Sequence, residues 1–249
     1  MTEAELQSPP FSMPRPASAG TPTSPPARPA SAAVAPAPAD EPFPEMTTRR
    51  LRLREITQDD AADILAIHGD ATVMRWFGSN VLPDLGAARR LVSFFANCRR
   101  AATGTRWGIE RKEDGRLLGT CGFYSWDRNY RRCNLGYELG TFAWRKGYMQ
   151  EALAAVLPWG YSRMQLHRIE AHIHPANTAS IELARGFGFV QEGLMRELEF
   201  WDGRPQDMLL FALLQRDMKW PERKESSILN YRWLQRTAYR IESMLLSGK

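Results

Sequence analysis

Hydrophobic residues recur along the chain with two periods, which predict strands and helices in alternation. Alternation of apolar and polar positions marks seven strands at 50–56, 105–111, 116–124, 133–139, 168–174, 189–200 and 207–215. Apolar positions three to four residues apart mark helices at 59–68, 86–100, 148–163 and 178–186. The pattern therefore predicts an α+β domain, a central mixed sheet of about seven strands flanked by helices.

The middle of the chain has the order strand, turn, helix, strand, helix. The turn and first helix read WRKGYMQEAL, Trp144 to Leu153, and the second helix follows as NTASIELARGFGF from Asn177. Gly147 lets the backbone pass close to a ligand, and the helix after it presents free N–H groups and the positive end of its dipole. This arrangement predicts an anion site, although many loops enter a helix through glycine without any ligand.

The two ends of the chain differ from this middle part. Residues 1–46 hold 12 of the 17 prolines and only two aromatic residues, so we expect a disordered tail. Residues 47–220 form the expected folded domain. Residues 221–249 are predicted to form an amphipathic helix, which packs on its own domain or on a second subunit in a homodimer. Its apolar positions are Ile228, Tyr231, Leu234, Ala238, Ile241 and Leu245.

Net charge and cysteine spacing narrow the function classes. Residues 1–46 carry five acidic and two basic side chains, so the +5 of the whole chain leaves +8 on residues 47–249. A basic domain suits a phosphorylated cofactor, whereas the arginines occur in pairs rather than blocks, so we expect no specific nucleic-acid binding. Three cysteines without CxxC spacing indicate reduced intracellular thiols, and no metal site is predicted.

Targeting and membrane signals are weak in this chain. No segment approaches the ~20 apolar residues of a membrane span. Glu3 and Glu5 precede any basic residue, which differs from a signal or transit peptide. We therefore expect a cytoplasmic protein with no membrane partner.

From about residue 48 to about residue 219 the chain resembles the GNAT acetyltransferase superfamily, within it the RimJ and RimL type that acetylates ribosomal proteins. The resemblance rests on LRLREIT, GDATVMRWFG, GRLLGTCGF, NLGYELG, WRKGYMQEAL and HPANTASIELARGFGFVQEG, in that order. It implies the GNAT fold, in which two central parallel strands splay apart; here they end near Leu139 and His174. It also implies acetyl-CoA as co-substrate, whose pantetheine arm enters between those strands.

The resemblance carries a set of cofactor contacts onto this sequence. The turn matches the superfamily pattern only at Gly147, so backbone donors are expected to bind the pyrophosphate there. Backbone N–H groups near the end of the preceding strand are expected to bind the thioester oxygen, and Asn177 the pantetheine arm. The expected cofactor-binding residues are Leu139, Gly140, Thr141, Arg145, Lys146, Gly147, Tyr148, Met149 and Asn177.

Two residues are predicted to be catalytic. Glu138 lies at the end of a strand where burial raises a carboxyl pKa, so we expect it to accept the proton of the amine, directly or through water. The alternative is a structural glutamate paired with Arg75 or Arg106. The resemblance implies that Ser180 binds or protonates the departing sulfur, and Ala184 stands where many GNAT enzymes place a tyrosine for that role. Alternatively the thiolate leaves unprotonated, or Asn177 only caps the helix with Ser180 beside it.

The sequence predicts the type of reaction more specifically than the acceptor of the acetyl group. An α-amine has a pKa of ~8 against ~10.4 for lysine, so neutralising lysine costs roughly 3 kcal/mol more at pH 7. This favours the N-terminus of a protein or peptide, and the resemblance points to a ribosomal protein. Small amines such as polyamines or antibiotics remain a rival class, and a non-catalytic acyl-CoA-binding module is the alternative to an enzyme. Each residue of the expected acceptor wall is also an ordinary core candidate, and Phe123 fits the core better than the wall. The wall comprises Arg75, Trp76, Phe77, Gly78, Phe123, Tyr124 and Trp126.

Overall fold

The structure, a computed structural model, describes residues 42–218. Its strands are β1 (Met46–Thr47), β2 (Leu51–Arg54), β3 (Thr105–Arg111), β4 (Leu117–Asp127), β5 (Arg132–Leu139), β6 (Arg168–Ile173), β7 (Val190–Trp201) and β8 (Arg204–Leu214). Its helices are α1 (Ala61–His68), α2 (Ala71–Met74), α3 (Leu85–Arg100), α4 (Tyr148–Arg163) and α5 (Thr178–Phe187). Short 3-10 turns lie at Gln58–Asp60, Thr141–Ala143 and Gln215–Asp217.

All eight strands form one sheet in the order β1-β2-β3-β4-β5-β6-β8-β7. Every neighbouring pair is antiparallel except β5 and β6, which are parallel. The predicted α+β class with a mixed sheet is confirmed. The sheet has one strand more than predicted, because Met46 and Thr47 pair with Leu53 and Arg52.

Two apolar clusters cover the sheet. One joins α4 and α5 to the strands and includes the fully buried Trp107, Leu153 and Phe211. The other joins α1, α2 and α3 to Ile56 and Leu117. The helices therefore hold the sheet between them and leave the site at its middle.

Residues 43–46, which the sequence assigns to the tail, contact the folded domain. Phe43 packs edge-on against Trp107 at 6.0 Å between ring centroids, and Trp107 Nε1 donates to Pro44 O at 2.8 Å. Met46 is 5% exposed. These contacts attach residues 43–46 to the domain, whereas residues 1–41 and the helix predicted at 221–249 lie outside the described residues.

The parallel strands β5 and β6 are paired only at their beginnings. Arg132, Cys133 and Asn134 pair with Arg168, Ile169 and Glu170, and no further pair follows. Beyond that point β5 stays with β4, while β6 stays with β8 up to Ile173. The predicted splay of two central parallel strands is confirmed, and it opens a gap in the sheet.

Among residues 42–218, no helix combines the length and the apolar character that crossing a membrane requires.

Candidate active site

A cleft of about 690 Å³ occupies the gap between β5 and β6. Its walls come from both strands, from the beginnings of α4 and α5, and from the segment 72–77 after α1. Eight of the predicted site residues line it: Glu138, Leu139, Arg145, Gly147, Tyr148, Met149, Asn177 and Ser180. Gly140, Thr141 and Lys146 are not among its lining residues.

The turn before α4 leaves backbone donors facing this cleft. Gly147 has φ 72° and ψ 13°, a left-handed conformation that glycine adopts without strain, and Arg145 also has a positive φ of 57°. No side chain caps α4. The N–H groups of its first turn therefore remain available, as an anion site requires.

A partly buried carboxylate, Glu151, holds the turn against the first strands. It accepts hydrogen bonds from Thr48 Oγ1 at 2.6 Å, from Arg50 N at 2.7 Å and from Arg50 Nε at 2.6 Å. Arg50 Nη1 in turn donates to Lys146 O at 2.9 Å. Burial alone raises the pKa of Glu151, but the bonds from Thr48 and Arg50 lower it below its ordinary value. Arg50 thus links Glu151 to the turn as a brace.

Replacing Glu151 by glutamine is expected to weaken CoA binding about tenfold, because a looser turn no longer presents its N–H groups together. Calorimetric titration with CoA measures the effect. Glu182→Gln is the matched control, since Glu182 lies on α5 in an exposed pair with Arg185 and should leave the affinity unchanged. An unchanged affinity in Glu151→Gln would refute the brace.

Glu138 lies in a buried network of charged and polar groups. Arg106 donates to its Oε2, Thr120 donates to its Oε1, and His68 Nε2 lies 3.2 Å from Oε1. Burial alone raises the pKa of this carboxyl, but the charges of Arg106 and His68 and the hydrogen bonds from His68 and Thr120 hold it below its ordinary value. The predicted rise in pKa is therefore wrong, and the pairing with Arg106 given as the alternative is the one found.

Ser180 meets a tyrosine from the neighbouring strand. The Ser180 Oγ and Tyr137 Oη atoms lie 2.7 Å apart, and both residues line the cleft. Asn177 caps α5 by accepting the Ser180 N–H at 3.1 Å, so the capping alternative describes its geometry. Ser180 nevertheless keeps its hydroxyl in the cleft.

Successive backbone N–H groups at the end of β5 point alternately toward β4 and toward the gap. Gly140 N donates to Leu118 O at 2.9 Å, so the expectation that Gly140 binds the thioester oxygen through this group is wrong. Hydrogen bonds of an antiparallel strand alternate in direction, so the N–H of Leu139 points away from β4 and toward the gap. Thr141 is exposed and its Oγ1 lies 3.4 Å from Asp70 Oδ2, and Lys146 Nζ donates to Phe142 O at 2.9 Å.

Aromatic side chains form one wall of the cleft. Trp76 stacks on His174 with 4.4 Å between ring centroids, and Trp201 makes an edge contact with His174 at 6.0 Å between centroids. Arg75 lies over Trp76 at 4.8 Å. Of the predicted wall, Arg75, Trp76, Phe77 and Tyr124 line the cleft. Phe123 is 2% exposed within the core, Trp126 packs against the core, and neither they nor Gly78 are lining residues.

Several residues of the site carry no signal in the sequence pattern. Periodicity identifies Tyr137 only as a strand position, and it gives no reason to select His68 or Thr120. Glu199 on β7 has a pKa raised by burial, and its charge acts on Tyr124, which lines the cleft. Only the three-dimensional pairing reveals these residues, because their partners lie far away in sequence.

Within the described range 42–218, no group of three or more histidine, cysteine or acidic residues could hold a metal ion. Cys121 and Cys133 are buried and Cys98 is partly buried, and all three thiols are free. Burial raises the pKa of the Cys121 thiol to about 12. The cysteines therefore belong to the packing of the domain.

A mixed sheet whose parallel strands part beside an uncapped helix N-terminus can hold an anionic ligand in the gap, as an enzyme that uses an acyl-CoA requires. The comparison with protein families supplies the class of enzyme. The family described as "Acetyltransferase (GNAT) domain" matches residues 50–190. The chain belongs to the GNAT acetyltransferase family.

The curated proteins that are similar to this chain include N-acetyltransferases. It is 34% identical over 173 residues to the uncharacterized N-acetyltransferase YoaA of Bacillus subtilis, covering 70% of this chain and 98% of that protein. It is 31% identical over 112 residues to the ribosomal protein uS5-alanine N-acetyltransferase of Escherichia coli, covering 45% of this chain and 58% of that protein.

Solved structures share the fold. Mycobacterium smegmatis RimJ in complex with CoA-disulfide superposes with a TM-score of 0.63 at 24% identity, covering 69% of this chain and 88% of that one. The spermidine N-acetyltransferase of Vibrio cholerae in complex with CoA and spermine gives 0.60 at 20% identity, covering 68% and 97%.

Proposed function

We propose that this enzyme transfers the acetyl group of acetyl-CoA to the N-terminal α-amine of a protein, with ribosomal proteins as the leading class of acceptor. The observation that carries the proposal is the cleft between β5 and β6, into which the uncapped start of α4 opens. Similarity to the uS5-alanine N-acetyltransferase supports the acceptor. A reaction on ribosomal proteins belongs in the cytoplasm.

The residues present fit the coenzyme. The turn Arg145 to Met149 offers N–H groups for the pyrophosphate, and the splayed strands leave unpaired backbone for the pantetheine amides. The Leu139 N–H and the Asn177 side chain lie on the same cleft. Acetyl-CoA supplies a reactive thioester when bound, while the protein binds it, orients it and receives the proton of the amine.

The charge of the cleft supports a peptide acceptor over a polyamine. Among the described residues that line it, the only carboxylate is Glu138, and this group is 6% exposed and occupied by Arg106, Thr120 and His68. A polycation needs free carboxylates to replace its water, whereas a single neutral α-amine does not. The spermidine acetyltransferase is only 20% identical to this chain, so its similarity shows a shared fold and says nothing about the acceptor.

Two carboxylates are candidates for proton acceptance: Glu138, which lines the cleft, and Glu199, which does not. Burial raises the pKa of Glu199 above its ordinary value, whereas the network around Glu138 lowers the pKa of that carboxyl, so Glu199 holds a proton more readily. Glu138 then serves to fix Arg106 and the end of β5. Glutamine at each position separates the two roles.

The test is release of CoA from acetyl-CoA with mass detection of the product. The acceptors are ribosomal-protein N-terminal peptides, the same peptides with a blocked α-amine and a free lysine, polyamines and aminoglycosides. We expect turnover of the free α-amine and none of the blocked peptides. Preference for lysine, polyamines or drugs would replace the acceptor class, and CoA binding without any turnover would support an acyl-CoA-binding module instead.

Replacing Trp76 by alanine is expected to raise the KM for a peptide acceptor about tenfold while the affinity for CoA stays the same, because Trp76 lines the cleft on the side proposed for the acceptor. Steady-state kinetics and CoA titration measure the two values. Tyr130→Ala removes a 64% exposed aromatic residue away from the cleft and serves as the control. An unchanged acceptor KM in Trp76→Ala would place the acceptor elsewhere.

A further inference from the structure

We propose that Tyr137 is a positioning residue that donates its hydroxyl hydrogen to Ser180 Oγ and thereby directs the Ser180 hydrogen into the cleft, toward the sulfur of the departing CoA. The inference rests on the proposed acetyl transfer and adds a second residue to it. The phenol comes from a strand, not from the helix that carries Ser180.

The geometry brings these two hydroxyls together at the gap between the strands. Tyr137 lies on β5 three residues after the last pair with β6, so its side chain belongs to the splayed part of the strand. Ser180 lies in the first turn of α5, where the Asn177 cap fixes its backbone. The oxygen–oxygen distance is 2.7 Å, a normal hydrogen bond between hydroxyls.

Both hydroxyls keep their hydrogens, so the charge that develops in the cleft decides which of them donates. Burial raises the pKa of Tyr137 to about 12, with the bond to Ser180 opposing the rise, so the phenol keeps its hydrogen throughout the working range. A serine hydroxyl has one hydrogen and two acceptor sites. When a thiolate develops in the cleft, the most favourable arrangement has Ser180 donating its hydrogen to the thiolate and accepting the hydrogen of Tyr137.

The chain Tyr137 to Ser180 to sulfur stabilises negative charge without moving a proton. The carbon–sulfur bond breaks, its electron pair remains on sulfur, and Ser180 donates a hydrogen bond to it. The acetyl group is now an amide, and the proton lost by the amine goes to the base. Hydrogen bonds in series strengthen one another, so Tyr137 increases the donor strength of Ser180.

The same feature explains how a site without the usual tyrosine can function. Ala184 stands where the resemblance to other GNAT enzymes expects a tyrosine, and it is 3% exposed in the core with no hydroxyl to offer. Tyr137 supplies a phenol from the opposite wall of the cleft. Ser180 connects that phenol to the position of the sulfur.

Kinetics of single and double variants test the coupling. We expect Ser180→Ala to lower kcat roughly 10- to 100-fold, the range of a hydrogen bond to a charged group, and Tyr137→Phe to lower it about five- to tenfold. The double variant should match Ser180→Ala, because Tyr137 acts only through Ser180. KM for acetyl-CoA should change little. Tyr161→Phe is the matched control, since Tyr161 donates to Leu213 O at 2.9 Å away from the cleft and its loss should leave kcat unchanged.

A second readout needs no turnover. Ultraviolet difference spectra of the protein with CoA and with desulfo-CoA, which lacks the thiol, report thiolate formation as pH rises. The wild-type protein should lower the pKa of the bound CoA thiol, and Tyr137→Phe and Ser180→Ala should both return it toward its free value. Melting temperatures confirm that each variant is folded.

The outcomes separate this inference from the proposed function. Additive effects of the two substitutions, or a Tyr137→Phe variant with wild-type kcat and wild-type thiol pKa, would overturn the role of Tyr137. A lowered CoA thiol pKa that depends on Tyr137, in a protein that acetylates none of the acceptors, would support the hydrogen-bond chain and count against the proposed acetyl transfer.

Discussion

Replacing Glu138 by glutamine is expected to lower the free energy of unfolding by roughly 3–5 kcal/mol, the usual cost of removing one partner from a buried ion pair. The variant leaves the Arg106 guanidinium, 9% exposed, without its anion. Arg106 Nε also donates to Thr120 Oγ1 at 2.5 Å, so the loss extends through the network. Denaturant unfolding of wild type and variant measures the change.

The control and the pH dependence make this prediction specific. Asp114→Asn breaks an exposed pair with Arg111 in the β3–β4 turn and should alter stability little. Because the folded-state pKa of Glu138 is lowered, its contribution is complete above the unfolded pKa and is lost as pH falls through the folded pKa. The stability difference between wild type and Glu138→Gln should therefore shrink in acid.

The same variant decides the catalytic question. A fall in kcat of a hundredfold or more with unchanged stability would restore Glu138 as the base. A fall in stability, with kcat largely retained in the folded fraction, would leave Glu138 as the anchor of Arg106. The corresponding loss of activity would then be expected in Glu199→Gln.

Replacing Gly147 by valine is expected to weaken CoA binding by at least tenfold. The residue has φ 72°, a conformation that costs a β-branched side chain roughly 1–3 kcal/mol, so the turn shifts and its N–H groups lose their common direction. A Cβ atom at this position meets only Arg50 Nη2 at 3.6 Å, so the effect arises from backbone strain and not from a clash. Calorimetric titration with CoA gives the affinity.

Gly115→Val provides a matched control. Gly115 has φ 71° in the β3–β4 turn, where a Cβ atom would have no neighbour within 4 Å, and it does not line the cleft. It should lose similar stability while keeping full affinity for CoA. Equal affinity in both variants would mean that the turn at Gly147 does not bind the coenzyme.

The sequence predicts the local parts of this site well. The bounds of α4, 148–163, agree with the structure because Gly147 stops the preceding turn and apolar spacing continues without interruption. The gap between β5 and β6 followed from the family resemblance. The bounds of α4 are a feature that a short stretch of chain encodes, whereas the gap depends on two strands that are distant in sequence.

Contacts between side chains that are distant in sequence could not be predicted from the sequence pattern. The pKa of Glu138 depends on His68, 70 residues earlier, and on Arg106, 32 residues earlier, and burial without those partners would shift it the other way. The Tyr137–Ser180 contact joins residues 43 positions apart on different elements. Periodicity identifies a strand or a helix, but the partner of a side chain depends on how those elements pack.

Only three residue pairs join β5 to β6, so this junction is a weak point between two halves of the sheet. On one side lie β1 to β5 and on the other β6, β8 and β7, and this junction has the fewest paired positions of any between the longer strands. A ligand that binds to both β5 and β6 acts as an additional cross-link between the two halves of the sheet. Its binding energy then favours cooperative over piecewise unfolding, so occupancy by coenzyme sets how far the enzyme behaves as one folding unit.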